Sequence, residues 1–74
     1  MKIKLLLFGI TSDLLETSSL ELEVKDAISI ADFKIFMSEK YPQLKNINSY
    51  AIAVNESYAS EEIILKENDI VAII

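Results

Sequence analysis

The chain has no cysteine, no histidine and no arginine, and it carries one glycine and one proline in 74 residues. Each gap closes a class of function. Without cysteine there is no disulfide staple and no thiol nucleophile. Without histidine there is no imidazole base, and a zinc site would have to be built from carboxylates alone. A single glycine, Gly9, cannot make a phosphate-cradling glycine loop. Without arginine the chain lacks the fork that commonly grips phosphate or guanine. Tryptophan is absent as well, so no indole platform is available.

What is present is apolar mass and negative charge. Half of the residues are in the hydrophobic class, enough to build a core without cross-links and to make disorder a poor reading. Seven lysines stand against twelve carboxylates, a formal charge of -5. A polyanion is repelled on average, so nucleic acid is not an expected partner. Two readings of the charge remain open: steering toward a protein with a basic surface, or solubility alone. The apolar run Leu5 to Ile10 is too short to span a bilayer, and no small-residue cleavage site follows it. A buried strand is expected there, with no membrane contact and a cytoplasmic location.

Residues 1–74 are expected to form one domain. Lys2 to Gly9 reads as a strand, with Ile3, Leu5 and Leu7 facing the core and Lys2, Lys4, Leu6 and Phe8 facing out. Thr11 to Ser19 is read as a connection whose Leu14 and Leu15 pack back onto the body. Ser19 to Lys25 alternates Leu20, Leu22 and Val24 against Glu21, Glu23 and Lys25, and should pair antiparallel with the first strand. Ser29 can cap a helix with Asp32 in its first turn, and Ile28 with Phe33 has hydrophobic-staple spacing. Ile30, Phe33 and Met37, with Phe36 and Tyr41, give that helix an apolar stripe, and Pro42 should end it.

Pro42 to Ser49 is predicted as a loop anchored by Leu44 and Ile47. Tyr50 to Val54 is predicted as a strand, Asn55 as a turn, and Tyr58 to Ser60 as a short extended piece. Ile63 to Leu65 leads to a turn at Lys66 to Asp69. Asn68 suits a left-handed position there, and Asp69 suits bonding to backbone amides. Ile70 to Ile74 is the last strand, with Val71 and Ile73 facing the core.

The order is β-β-α-β-β-β, an α+β fold in which one main helix covers one face of a mixed sheet. Parity puts Leu6, Phe8, Ile70, Ala72 and Ile74 on the other face. If the first and last strands are neighbours, these residues merge into an apolar patch of the kind that marks a binding surface. A covering loop or a second copy of the chain is the alternative. The paired acids Glu61 and Glu62, and Glu67 with Asp69, read as solvated surface, because adjacent carboxylates diverge and so small a body has little room for a substrate pocket. No catalytic group, metal ligand or cofactor site is expected in the chain itself.

The segments KIKLLLFG, ISIADFKIFMSEKYPQL, AIAVNE and ILKENDIVAII, in that order, resemble the small subunit of molybdopterin synthase, a ubiquitin-like sulfur-carrier family. Leu65, Asn68, Asp69 and Val71 match the family's closing pattern of leucine, turn and apolar strand, with Asn68 where glycine is usual. The resemblance implies a β-grasp fold. It implies a carrier whose C-terminal glycine is adenylated by an E1-like enzyme using ATP and converted to a thiocarboxylate. That tail would donate sulfur to a cyclic pyranopterin precursor held by the large subunit of the synthase. The expected partners are therefore that large subunit and the E1-like enzyme, and the chain is non-catalytic alone. The resemblance also implies that Phe8, Tyr58 and Ile74 lie at the large-subunit contact. With the residues found by parity, the expected partner interface is Leu6, Phe8, Tyr58, Ile70, Ala72 and Ile74.

Family members continue past the last strand into a Pro-containing tail ending in Gly-Gly, whereas the 74 residues end at Ile74. A mobile tail is expected beyond it. The alternatives are a carrier of the thiamin or ubiquitin-related modifier type, and a tail-less β-grasp binding module.

Overall fold

Alternation in Lys2–Leu7 becomes strand β1, with Ile3, Leu5 and Leu7 buried and Lys2 and Lys4 exposed in the computed structural model, which describes residues 1–46 and 50–74. Strand β2, Ser19–Glu23, pairs with it antiparallel. In that register Lys2 faces Glu23 and Lys4 faces Glu21, so opposite charges sit directly across the ladder and help fix it.

The connection between these strands differs from the loop expected of Thr11 to Ser19. Gly9, at φ 58°, turns the chain into a short helix α1, Ile10–Leu15, closed by Glu16 in the left-handed region. Leu15 packs against the core, as expected, while Leu14 is half-buried.

Helix α2 runs from Ile30 to Lys40. The Ser29 hydroxyl accepts the Asp32 amide at 3.1 Å, and Ile28 and Phe33 are both buried around the helix start. Two further amides of the first turn would be orphaned, but Ile30 donates to the Ile63 carbonyl and Ala31 to that of Glu61. The 61–65 segment is thereby held across the helix start, and it ends in the buried Leu65. Ile30, Phe33 and Met37 present no surface to solvent, and the chain leaves the helix at Tyr41, just before Pro42.

Pro42–Asn46 is a 3₁₀ turn where a loop was expected, and Leu44 anchors it in the core. The other expected anchor, Ile47, lies outside the described residues. Strand β3 is shorter than expected, Ile52–Val54, and β4 is Ser57–Tyr58. Asn55 and Glu56 join them with φ of 49° and 73°, a two-residue turn of the kind whose twist suits a hairpin. Strand β5, Ile70–Ile73, begins after a turn held by Asn68 at φ 68° and by Asp69, whose carboxylate accepts the Lys66 amide at 2.8 Å.

The sheet order is β2-β1-β5-β3-β4, with β1 and β5 parallel and the other pairs antiparallel. This is a β-grasp: a mixed sheet with one dominant helix on one face. The core lies between them, and β1, β5, β3 and α2 supply most of it. Among the described residues no helix covers the opposite face of the sheet.

Candidate functional site

Pairing of β1 with β5 decides what the outer face presents. Leu6 lies beside Ala72, Ala72 beside Ala53, and Ala53 beside Tyr58. One row thus crosses β1, β5, β3 and β4 with small side chains in the middle and large ones at both ends. Ile70, Phe8 and Ile74 occupy neighbouring outer positions and raise the walls. The result is a depression of about 370 Å³ lined by Leu6, Phe8, Ala53, Tyr58, Ile70, Ala72 and Ile74, with Glu56 at its rim.

All six residues expected on one face from parity and resemblance therefore line the same hollow. Phe8, Tyr58, Ile70 and Ile74 are exposed, and Tyr58 shows 74% of its surface. A large apolar patch held open to water is costly unless something covers it. Two contributors were not singled out from the sequence. Ala53 is a floor residue, and its only signal was alternation with the buried Ile52 in the string AIAV. Glu56 reaches the rim because the hairpin turn places it there, which no periodicity reports.

The end of β1 is fixed by a buried threonine. The Thr11 hydroxyl donates to the Phe8 carbonyl at 2.6 Å and lies 3.4 Å from that of Ile73. Its oxygen also receives the Phe8 amide at 3.2 Å. A bulky aromatic at a strand end is thus held by backbone bonds instead of by core packing. At the other wall Ile74 and Ala51 exchange two backbone hydrogen bonds, of 2.9 and 3.1 Å. They carry the β3–β5 ladder on to Ile74, at the margin of the hollow.

The chemistry the hollow offers is apolar burial. Six of the seven wall and floor residues are aliphatic or phenyl, and Tyr58 adds one phenol. Among the described residues no group of carboxylates is placed to hold a metal ion, and no helix is long and apolar enough to cross a membrane. Glu61, Glu62 and Glu67 are exposed. Asp69 is spent on its turn, as expected, and it also accepts from the Asn55 side-chain Nδ2 at 3.0 Å.

Comparison with known proteins agrees with this architecture. A family model described as the ThiS family matches residues 5–74. A putative molybdopterin converting factor, subunit 1, from Pyrococcus furiosus superposes with a TM-score of 0.88 at 22% identity, over 99% of this chain and 94% of that one. Small archaeal modifier protein 1 from Haloferax volcanii gives 0.83 at 12% identity, over 97% and 93%. A complex of subunits 1 and 2 of molybdopterin-converting factor from Helicobacter pylori 26695 contains a chain that matches at 0.70 and 16% identity, over 100% and 92%. At these identities the structural likeness speaks to the fold, and the family rests on the model match.

Proposed function

The chain belongs to the ThiS family of small ubiquitin-like β-grasp sulfur carriers, and on that premise we propose that it is the sulfur-donating small subunit of a molybdopterin synthase. The observation that carries the proposal is the hollow on the outer face, bordered by Phe8 and by Ile74 at the end of β5. A carrier must dock its body so that a tail beyond its last strand enters the partner's active site. An apolar surface at that exit is where such docking is most useful, because it holds the tail at high effective concentration.

In this role the chain is a covalent reactant. An E1-like enzyme activates the C-terminal carboxylate with ATP, forming an acyl adenylate and releasing pyrophosphate. A sulfur donor displaces AMP to leave a thiocarboxylate. The large subunit supplies the acid-base groups and binds the pyranopterin precursor. In each transfer the thiocarboxylate sulfur bonds to the precursor, and water then cleaves the acyl–sulfur bond, leaving sulfur on the precursor and a carboxylate on the carrier. The carrier's own residues contribute docking area, and slim glycines in a tail would let it thread a narrow channel. Molybdopterin-converting subunits and small archaeal modifier proteins both stand among the structural neighbours, and modifier or thiamin-type carriers are the runner-up reading.

The test is intact mass on the protein as its host makes it, before and after incubation with the large subunit and precursor. The expected result is an oxygen-to-sulfur exchange at the C-terminus that reverses only when both are present. A protein never found carrying sulfur would overturn the carrier role. Loss of sulfur to a different acceptor, with the synthase large subunit inert, would overturn the pathway.

A further inference from the structure

A second apolar surface lies on the other side of the molecule. Strand β2 is an edge of the sheet. Val24 donates to the Met1 carbonyl and Leu7 to that of Ser18, both at 2.9 Å, which fixes the alternation of the ladder. Ser19, Glu21 and Glu23 are then the positions whose amides and carbonyls point away from β1. The Ser19 carbonyl accepts the Thr17 hydroxyl, but among the described residues nothing pairs with the outward groups of Glu21 and Glu23.

Past the end of this edge, between the 23–28 segment and α2, lies a groove of about 660 Å³. Val24, Ile28 and Phe36 form its apolar lining, and Ile35, 58% exposed, stands along it. Asp32 and Glu39 flank it on the helix side. The helix lysines are directed elsewhere: Lys34 lies over the Tyr50 ring and Lys40 over that of Tyr41. Lys25, the cation at the groove, has Asp32 3.7 Å away.

We propose that the free edge of β2, together with the groove that opens at its C-terminal end against α2, accepts a strand from a partner protein, one whose residues alternate between apolar and Lys/Arg. A strand added to β2 turns alternate side chains to opposite faces. Those on the helix side enter the apolar groove between Val24 and Ile35. Those on the other side fall next to Glu21, cross-strand from Lys4, and next to Glu23, whose carboxylate also holds the Met1 ammonium at 2.8 Å. A second copy of this chain is disfavoured as occupant, because two β2 edges would set glutamate against glutamate. The groove lies on the helix side of the sheet, away from Phe8, and the inference does not rest on sulfur transfer.

The test uses the whole chain, isotope-labelled for NMR, titrated with a capped nine-residue peptide of alternating lysine and valine. A scrambled peptide of the same composition is the control. Saturable shifts at the Glu21, Glu23, Ile35 and Phe36 amides are expected, with the scrambled peptide weaker by about tenfold or more. Ile35→Asp, on an exposed helix position, should weaken binding by about tenfold or more. Glu21→Pro removes one outward donor and should do the same, since proline is tolerated on an edge. Equal binding of the scrambled peptide, no saturation up to millimolar peptide, or indifference to Ile35→Asp would overturn the proposal.

Discussion

Replacing Phe8 tests the docking argument with a magnitude attached. Phe8 leaves 51% of its surface open, which against roughly 200 Å² for an aromatic residue is about 100 Å² available to a partner. At about 25 cal/mol per Å² that area contributes ~2.5 kcal/mol to a complex that covers it. Alanine retains a small part, so Phe8→Ala should cost about 2 kcal/mol, a roughly thirty-fold rise in Kd for the large subunit. Phe8→Asp adds a carboxylate to be desolvated and should cost roughly a hundredfold or more. The same changes should barely touch the fold, because Phe8 is held by backbone bonds through Thr11 and its ring stands outside the core. Unfolding free energy should move by less than about 1 kcal/mol, against about 3–5 for a phenylalanine removed from a core. Calorimetric titration gives the affinity, and denaturant unfolding gives the control. A Kd within about threefold of the original for both variants would refute the reasoning.

Four other perturbations probe the same geometry. Thr11→Val should lower stability by about 1–2 kcal/mol in urea unfolding, because the Phe8 amide and carbonyl lose a buried partner. Asp69→Ala should cost a similar ~1–2 kcal/mol, since the Lys66 amide and the Asn55 side chain both lose their acceptor, and a lowered thermal midpoint would show it. Glu56→Gly should instead stabilise by up to about 1 kcal/mol, because glycine takes φ of 73° without steric cost. The amino terminus gives a pH signature: Glu23, 2.8 Å away, holds the Met1 ammonium above its ordinary value of 8.0, with Asp26 adding to it and burial opposing. A raised folded-state pKa means that this stabilisation is complete below pH 8.0 and lost as pH climbs through the raised value. Unfolding measured across that window should show a decline that Nα-acetylation abolishes.

The sequence disclosed the fold wherever a side chain reports its own environment. Period-2 alternation placed both faces of β1 and β5, and the Ser29 cap with the Ile28–Phe33 staple located the start of α2. Asn68 and Asp69 marked their turn because their side chains favour that geometry. Helix α1 escaped because six residues are too few for a helical period to emerge, and ITSDLL carries no stripe. The hollow itself was half legible. Its walls are large apolar residues at outward positions, which parity finds. Its floor depends on Ala53 lying beside Ala72, a matter of register between strands far apart in sequence. The groove past the end of β2 was invisible for a related reason: Val24 and Ile28 read as core, and nothing in the sequence sets Ile35 beside them.

A docked carrier requires that a partner cover the outer face at the exit of β5. Amide hydrogen exchange on the whole chain, free and with the large subunit, addresses this directly. Slowed exchange across Leu6 to Phe8, Ala53, Tyr58 and Ile70 to Ile74, with α2 unchanged, is the predicted outcome. Binding that leaves those amides as they were and protects another surface would contradict it.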